Sequence, residues 1–90
     1  MNEFFSIALR DPFHVGAFAP SSRYVLRRVL RAVPSPARRV IELGAGDGAL
    51  TRALLARADL TALSAVEPNE RLVSSLRQIS DPRLTVHQND

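Results

Sequence analysis

The stretch at residues 40–55, VIELGAGDGALTRALL, decides the fold of this chain. It begins as a short apolar run, passes through Gly44, Gly46 and Gly48, and continues with apolar residues at helical spacing. A parallel strand that leads through a glycine turn into a helix points unpaired backbone N–H groups at one spot beyond its carboxyl end. A turn without a ligand is the alternative, but three glycines exceed what such a turn needs. The pattern therefore predicts a loop that lies close to a ligand.

Strand-like and helix-like segments alternate through the rest of this region. The predicted strands are RRVIEL (38–43), LTALSAVE (60–67) and RLTVHQ (83–88), and the predicted helices are ALTRALLARA (49–58) and NERLVSSLRQI (69–79). This β-α-β-α-β order with short connections predicts an α/β fold, in which three parallel strands are joined by right-handed helical crossovers.

Residues 1–37 form a predicted helical N-terminal preface to the sheet. Apolar residues recur at helical spacing over residues 4–9, which predicts a first short helix. A second helix is predicted from a capping serine, Ser21 or Ser22, to about Val33.

The composition excludes several classes of protein. Ninety residues suffice for one small domain, and the absence of cysteine excludes disulfides, thiolate metal sites and thiol nucleophiles. His14 and His87 are far apart in the sequence, so no metal site is expected. No apolar run reaches the roughly 18 residues of a membrane span, and the N-terminus does not resemble a secretory signal. We therefore expect a cytoplasmic location.

The positive charge of the chain lies in its first part. Residues 1–40 contain seven arginines and two acidic residues, a net charge of +5, whereas residues 41–90 contain five arginines and seven acidic residues, a net charge of −2. One face of the second predicted helix carries Arg23, Arg27, Arg28 and Arg31. This face is either solvated or attracted to anionic lipid or RNA phosphates. The apolar anchors Phe4, Phe5, Phe13 and Phe18 favour a membrane surface, which predicts a peripheral position at the inner membrane.

A carboxylate follows the glycine loop at an informative distance. Glu67 lies 23 residues beyond Gly44, at the predicted end of the neighbouring strand. An acid about 20 residues after such a loop typically accepts the hydroxyls of a ribose. GAGDGA also satisfies a dinucleotide fingerprint, but Glu42 brings a second negative charge that suits a cationic ligand better than a pyrophosphate. An adenosine-type ligand is therefore favoured, with a dinucleotide as the alternative.

These motifs resemble those of a known enzyme class. VIELGAGDGALT resembles the first motif of class I S-adenosylmethionine-dependent methyltransferases, and AVEPN (65–69) resembles their second, acid-ended motif. The resemblance covers residues 38–90 and implies the S-adenosylmethionine-binding half of a Rossmann-like fold, truncated to three parallel strands. DPFHVGAFAPSSRYVLRRVL (11–30) is similar to the opening of bacterial phospholipid N-methyltransferases. The sequence pattern ELGxGxGxLT also resembles that of ribosomal RNA adenine dimethyltransferases.

The resemblance implies roles for the residues around the loop. Gly44, Ala45 and Gly46 would line the pocket for the methionine portion of S-adenosylmethionine. Glu42 would interact with the ammonium group of that portion through water. From the residues themselves, Gly46 leaves room for a ligand, and Gly48 allows the following helix to pack close to the strand.

The resemblance also implies contacts to the nucleoside. Glu67 would hold the ribose hydroxyls, and Asp90 would approach the adenine amine. Ser21 and Ser22 would close over the cofactor, although helix capping explains them equally well. Asp47, inside the loop, is predicted to be a solvated turn residue rather than a ligand group.

The implied activity is methyl transfer to a phospholipid amine such as phosphatidylethanolamine. The alternatives are an RNA adenine N6-methyltransferase and a non-catalytic nucleotide- or membrane-binding module. The sequence identifies no catalytic residue. We expect the ninety residues to be a fragment that is inactive alone, with an unpaired edge on the first predicted strand.

Overall fold

The computed structural model describes residues 4–8 and 23–89, which form a four-stranded sheet with three helices. The strands are β1 (Phe4–Ala8), β2 (Arg39–Leu43), β3 (Ala62–Glu67) and β4 (Leu84–Gln88). The helices are α1 (Arg23–Ala32), α2 (Ala49–Leu55) and α3 (Glu70–Leu76). The three predicted strands, the two crossover helices and the second helix of the preface are therefore confirmed.

All four strands are parallel, in the spatial order β1-β2-β3-β4. In the β2–β3 register, Glu42 lies opposite Ala65 and Leu43 lies opposite Val66. Glu67 is thus one position beyond the end of β2, level with the start of the glycine loop. The α/β fold class is confirmed, and the sheet register brings the predicted ribose-binding carboxylate to the loop.

The first strand corrects two predictions. The predicted helix over residues 4–9 is wrong, because Phe4–Ala8 forms a strand parallel to β2. Helical spacing in so short an apolar run does not distinguish a helix from a buried strand, and aromatic residues favour strands. The predicted unpaired edge is also wrong, since β2 is hydrogen-bonded on both sides, to β1 and to β3.

The described helices pack on one face of the sheet. Alternation along the strands places Val40 and Leu63 on this face, where they form a core with α1 and α2. A second cluster joins Ala65 to Leu76 of α3. The opposite face is more open, and Leu43 is 40% exposed there. The helices therefore bury the face that also carries Glu42 and Glu67.

Two arginine–aspartate pairs fasten the C-terminal end of α2. Arg57 binds Asp59 and donates to the carbonyls of Val33 and Pro34, next to the end of α1. Arg83 binds Asp81 and donates to the carbonyl of Leu55, the last residue of α2, and to those of Arg57 and Leu60 in the connection that follows. The hydrogen bonds from Arg83 lower the pKa of Asp81 to about 2. These contacts hold α2 against its neighbours on both sides.

Gly48 is the N-cap residue of α2 and lies close to side chains of α2 and α3. Its φ is +90°, and an added Cβ would lie 3.0 Å from both Leu76 Cδ2 and Arg52 Nη1. An added side chain at Gly48 would thus meet side chains of α2 and α3. The close packing of α2 against the strand, which the sequence predicted for this glycine, stays a prediction.

We expect Gly48→Ala to lower the free energy of unfolding by about 2–4 kcal/mol, through backbone strain and overpacking together. Gly46→Ala is the comparison, because Gly46 also has positive φ (+61°) but its added Cβ would have no neighbour closer than Gly44 O at 4.0 Å. We expect about 1–2 kcal/mol for that change. Urea unfolding measures both values, and equal losses would show that packing against Leu76 is unimportant.

Candidate functional site

The glycine loop is held against the tip of the neighbouring strand. The N–H groups of Gly44 and Ala45 both donate to the carbonyl of Val66 in β3, at 2.8 and 3.1 Å. Gly48 N–H then donates to the carbonyl of Ala45 at 3.1 Å and closes the turn. The loop is therefore fixed across the carboxyl ends of β2 and β3, where parallel α/β sheets bind ligands.

Glu67 bridges the two strand ends. Its Oε1 accepts a hydrogen bond from Gly46 N–H at 2.7 Å, and its Oε2 accepts one from Asn69 N–H at 3.0 Å. Glu67 is only 5% exposed. The structure thus brings Glu67 and Gly46 together, as the ribose prediction requires.

The same carboxylate keeps capacity for a further partner. Each carboxylate oxygen has two lone-pair sites, so one site on each oxygen remains after the bonds from Gly46 and Asn69. Two neighbouring hydroxyl groups of a sugar could donate to these two oxygens. The backbone bonds leave Glu67 little freedom to rotate, so the acceptors are pre-oriented.

Glu42 lies in a different environment. It is fully buried at 0% exposure, and its Oε1 contacts the hydroxyl of Thr51 at 2.6 Å. Among the described residues, Oε2 has no hydrogen-bond partner. Burial raises the pKa of Glu42 to about 7; the negative charges of Asp47 and Glu67 also raise it, whereas the Thr51 hydrogen bond lowers it. A buried acid with an open acceptor suits a cationic ligand.

The other predicted loop residues differ in what they can offer a ligand. An added Cβ on Gly46 would meet mostly open space, so the missing side chain there leaves room beside Glu67. The Ala45 side chain packs with Ala65 in the core, which leaves only its backbone for a ligand. Asp47 is exposed, and its Oδ1 accepts from Ala49 N–H at 3.0 Å, as expected for a turn residue.

Two residues of the site were not predicted from the sequence. Thr51 is fully buried, and Asn69 both caps α3 and supplies the second N–H to Glu67. The sequence signal for Thr51 was a hydroxyl residue among the apolar residues of a predicted helix. The signal for Asn69 was an asparagine at the start of a predicted helix, where this residue type is a preferred N-cap. Three predicted residues, Ser21, Ser22 and Asp90, lie outside the described part of the chain.

The described residues contain no group of three or more metal-ligating side chains. In the same part of the chain, no helix has the length and apolar character needed to cross a bilayer.

The arrangement as a whole favours a ligand with a positive charge and vicinal hydroxyls. Asp47 and Glu67 place negative charge beside the loop, which opposes a pyrophosphate. The unpartnered oxygen of Glu42 and the open space at Gly46 fit the amino-acid portion of S-adenosylmethionine, and Glu67 fits its ribose.

Comparisons with known proteins point to one family. The family model for ribosomal RNA adenine dimethylase matches residues 21–90. The ribosomal RNA small subunit methyltransferase A of Parasynechococcus marenigrum (strain WH8102) is 42% identical over 69 residues, which cover 73% of this chain and 22% of the relative. The protein of the same name from Synechococcus sp. (strain CC9605) is also 42% identical over 69 residues, covering 73% of this chain and 25% of the relative. The chain thus spans about a quarter of the length of these relatives.

The shifted pKa of Glu42 predicts a pH-dependent stability. Because the folded-state pKa is raised from 4.5 to about 7, the folded chain binds more protons than the unfolded chain between these values. The contribution of Glu42 to the free energy of unfolding should therefore be fully present below pH 4.5. It should be lost as the pH rises through about 7, a decrease of roughly 3 kcal/mol in all. Urea unfolding should show this fall for the wild type and lose it for Glu42→Gln. Glu70→Gln, at an exposed carboxylate of α3, should retain the fall. A pH dependence that survives Glu42→Gln would contradict the assignment.

Proposed function

Since a family model matches residues 21–90, the chain belongs to the ribosomal RNA adenine dimethylase family, and we propose that it binds S-adenosylmethionine for methyl transfer to an RNA adenine. Methyltransferases of this family use S-adenosylmethionine. The observation that carries the proposal is the contact between the Glu67 carboxylate and Gly46 N–H, which joins the two cofactor motifs at 2.7 Å.

The proposed roles follow from the position of each group. Glu67 would accept the two ribose hydroxyls with its remaining lone pairs, and Gly46 would leave space for the methionine portion. Glu42 would balance the positive charge of the ammonium group, since its Oε2 has no other partner among the described residues. When bound, S-adenosylmethionine supplies an activated methyl group on its sulfonium. The contribution of this chain is to orient that group, and positioning can supply on the order of 7–11 kcal/mol of a barrier.

The comparisons favour RNA over phospholipid as the methyl acceptor. The matching family is described as a ribosomal RNA adenine dimethylase, and both relatives are named ribosomal RNA methyltransferases. Nothing in these comparisons supports the phospholipid amine that the preface suggested. We therefore propose the RNA adenine, which the sequence offered as the alternative.

The exposed face of α1 supports an RNA partner. Arg27, Arg28 and Arg31 are exposed on it, and Tyr24 is 67% exposed. The Arg28 guanidinium lies 5.7 Å from the centre of the Tyr24 ring and donates to its hydroxyl at 3.0 Å. Arginines next to an exposed aromatic ring can pair with phosphates and stack on bases.

The same helix is poorly suited to a membrane. An interfacial helix must insert its apolar side chains into the bilayer. In α1, Leu26, Val29 and Leu30 instead pack against the core. The side chains of Phe4 and Phe5, and the whole of Phe13 and Phe18, lie outside what the structure describes.

Cofactor binding is tested by calorimetry with S-adenosylhomocysteine and, separately, with NAD. We expect the chain to bind S-adenosylhomocysteine. The change Glu67→Gln replaces one carboxylate oxygen by an amide nitrogen, which cannot accept a hydrogen bond from the N–H of Gly46 or Asn69. We expect it to weaken binding by about tenfold or more. Glu70→Gln, on the exposed side of α3, should bind like the wild type. Binding of NAD alone would reject the methyltransferase proposal in favour of a dinucleotide module.

RNA binding is tested by titrating a labelled adenine-containing RNA at several salt concentrations, alongside sedimentation with anionic liposomes. We expect salt-sensitive RNA binding, and a double change, Arg27→Gln with Arg31→Gln, should weaken it and reduce the slope of log affinity against log salt by about one per lost phosphate contact. Arg77→Gln, at an exposed arginine after α3, is the control. Liposome binding without RNA binding would restore the phospholipid acceptor.

A further inference from the structure

Glu42 and Thr51 form a buried polar pair next to the apolar core. Both residues are 0% exposed, and their oxygens are 2.6 Å apart. Thr51 is flanked on α2 by the buried Leu50 and Leu54, which belong to the main core cluster. A helix packed in this way holds the Thr51 hydroxyl in place. A buried polar pair of this kind costs stability unless its hydrogen bonds are made, so its presence calls for an explanation.

The contact can persist in two protonation states. A threonine hydroxyl is both a donor and an acceptor. When Glu42 is ionised, Thr51 donates to Oε1; when Glu42 is neutral, the carboxyl proton on Oε1 can be donated to the Thr51 oxygen across the same 2.6 Å. In either state, the second oxygen of Glu42 remains without a partner among the described residues. Thr51 therefore keeps the carboxyl group in one orientation while its charge changes.

We propose that Thr51 is a positioning residue, which holds Glu42 so that the carboxyl group releases a proton to solvent when a ligand ammonium group binds. This inference rests on the proposed function, because it takes S-adenosylmethionine or its product as the ligand. The proton balance is simple: the neutral carboxyl group becomes a carboxylate, the ammonium group keeps its protons, and one proton passes to the buffer. An ion pair of no net charge, between the Glu42 carboxylate and the ligand ammonium group, then replaces the neutral acid in the buried site.

The charges around Glu42 support this release of a proton. In the described residues, the charged groups that face Glu42 are Asp47 from the loop and Glu67 from β3, and both favour its neutral form. Thr51 from α2 acts in the opposite sense by hydrogen bonding. On the β1 side, Ile7 is the register partner of Glu42 and is not ionisable. Burial and these charges raise the pKa of Glu42 to about 7, so the free chain holds both forms near neutral pH. A nearby positive charge would shift the balance to the carboxylate.

The test is calorimetry of S-adenosylhomocysteine binding to the full chain, from about pH 5.5 to about pH 8.5, in buffers of different ionisation enthalpy. For the wild type, we expect proton release and an affinity that rises by about tenfold per pH unit below the inflection, then levels off. Thr51→Val removes the hydrogen bond that favours the carboxylate. It should therefore move the inflection to higher pH and weaken binding near pH 7 by about threefold to tenfold.

Two further variants separate positioning from simple packing. Thr51→Ser keeps the hydroxyl and should restore the wild-type inflection even if it lowers the melting temperature. Glu42→Gln should release no proton and show no inflection, and it keeps the proposal testable if Thr51→Val does not fold. Failure of Thr51→Ser to restore the inflection, or an unchanged inflection in Thr51→Val, would overturn the role of Thr51. Binding without proton release would overturn the whole inference but leave cofactor binding intact. Absence of S-adenosylhomocysteine binding at every pH would instead reject the proposed function.

Discussion

The hydrogen bond from Gly46 N–H to the Glu67 carboxylate, 2.7 Å long, is the contact on which the candidate site depends. It joins the loop after β2 to the end of β3, and the bonds from Gly44 and Ala45 to the Val66 carbonyl hold the two segments at that distance. A side chain at Gly46 would occupy the space next to this bond. Because both Glu67 oxygens already accept backbone N–H groups, a ligand meets acceptors whose positions are set before it binds.

Two carboxylates on one face of the sheet have different chemistry because their surroundings differ. Glu67, at the strand end, accepts two backbone N–H groups. Glu42, one strand away and more deeply buried, accepts from the Thr51 hydroxyl alone among the described residues, so burial dominates and raises its pKa to about 7. Environment can give the two carboxyl groups of such a pair different chemical roles. This difference matches a ligand that carries both a ribose and an ammonium group.

The role of the arginine-rich helix depends on packing rather than on composition. The charges of α1 alone fit lipid headgroups or RNA equally well. Leu26, Val29 and Leu30 pack against the core, so the side chains described as exposed on α1 include Tyr24 and arginines but no apolar stripe of the kind that a bilayer requires. The family match points in the same direction.

The sequence by itself determined the β-α-β-α-β order, the glycine loop and the place of Glu67, because these follow from periodicity and from the spacing of a few residues. It could not determine that residues 4–8 form a strand, since a short apolar run acquires its conformation from the strand beside it, here β2. Thr51 and Asn69 were signalled only weakly, by a hydroxyl residue within an apolar helix and by an asparagine just before a helix. Their roles arise from contacts with Glu42 and Glu67 on other elements, and such contacts exist only after the sheet and helices have packed together.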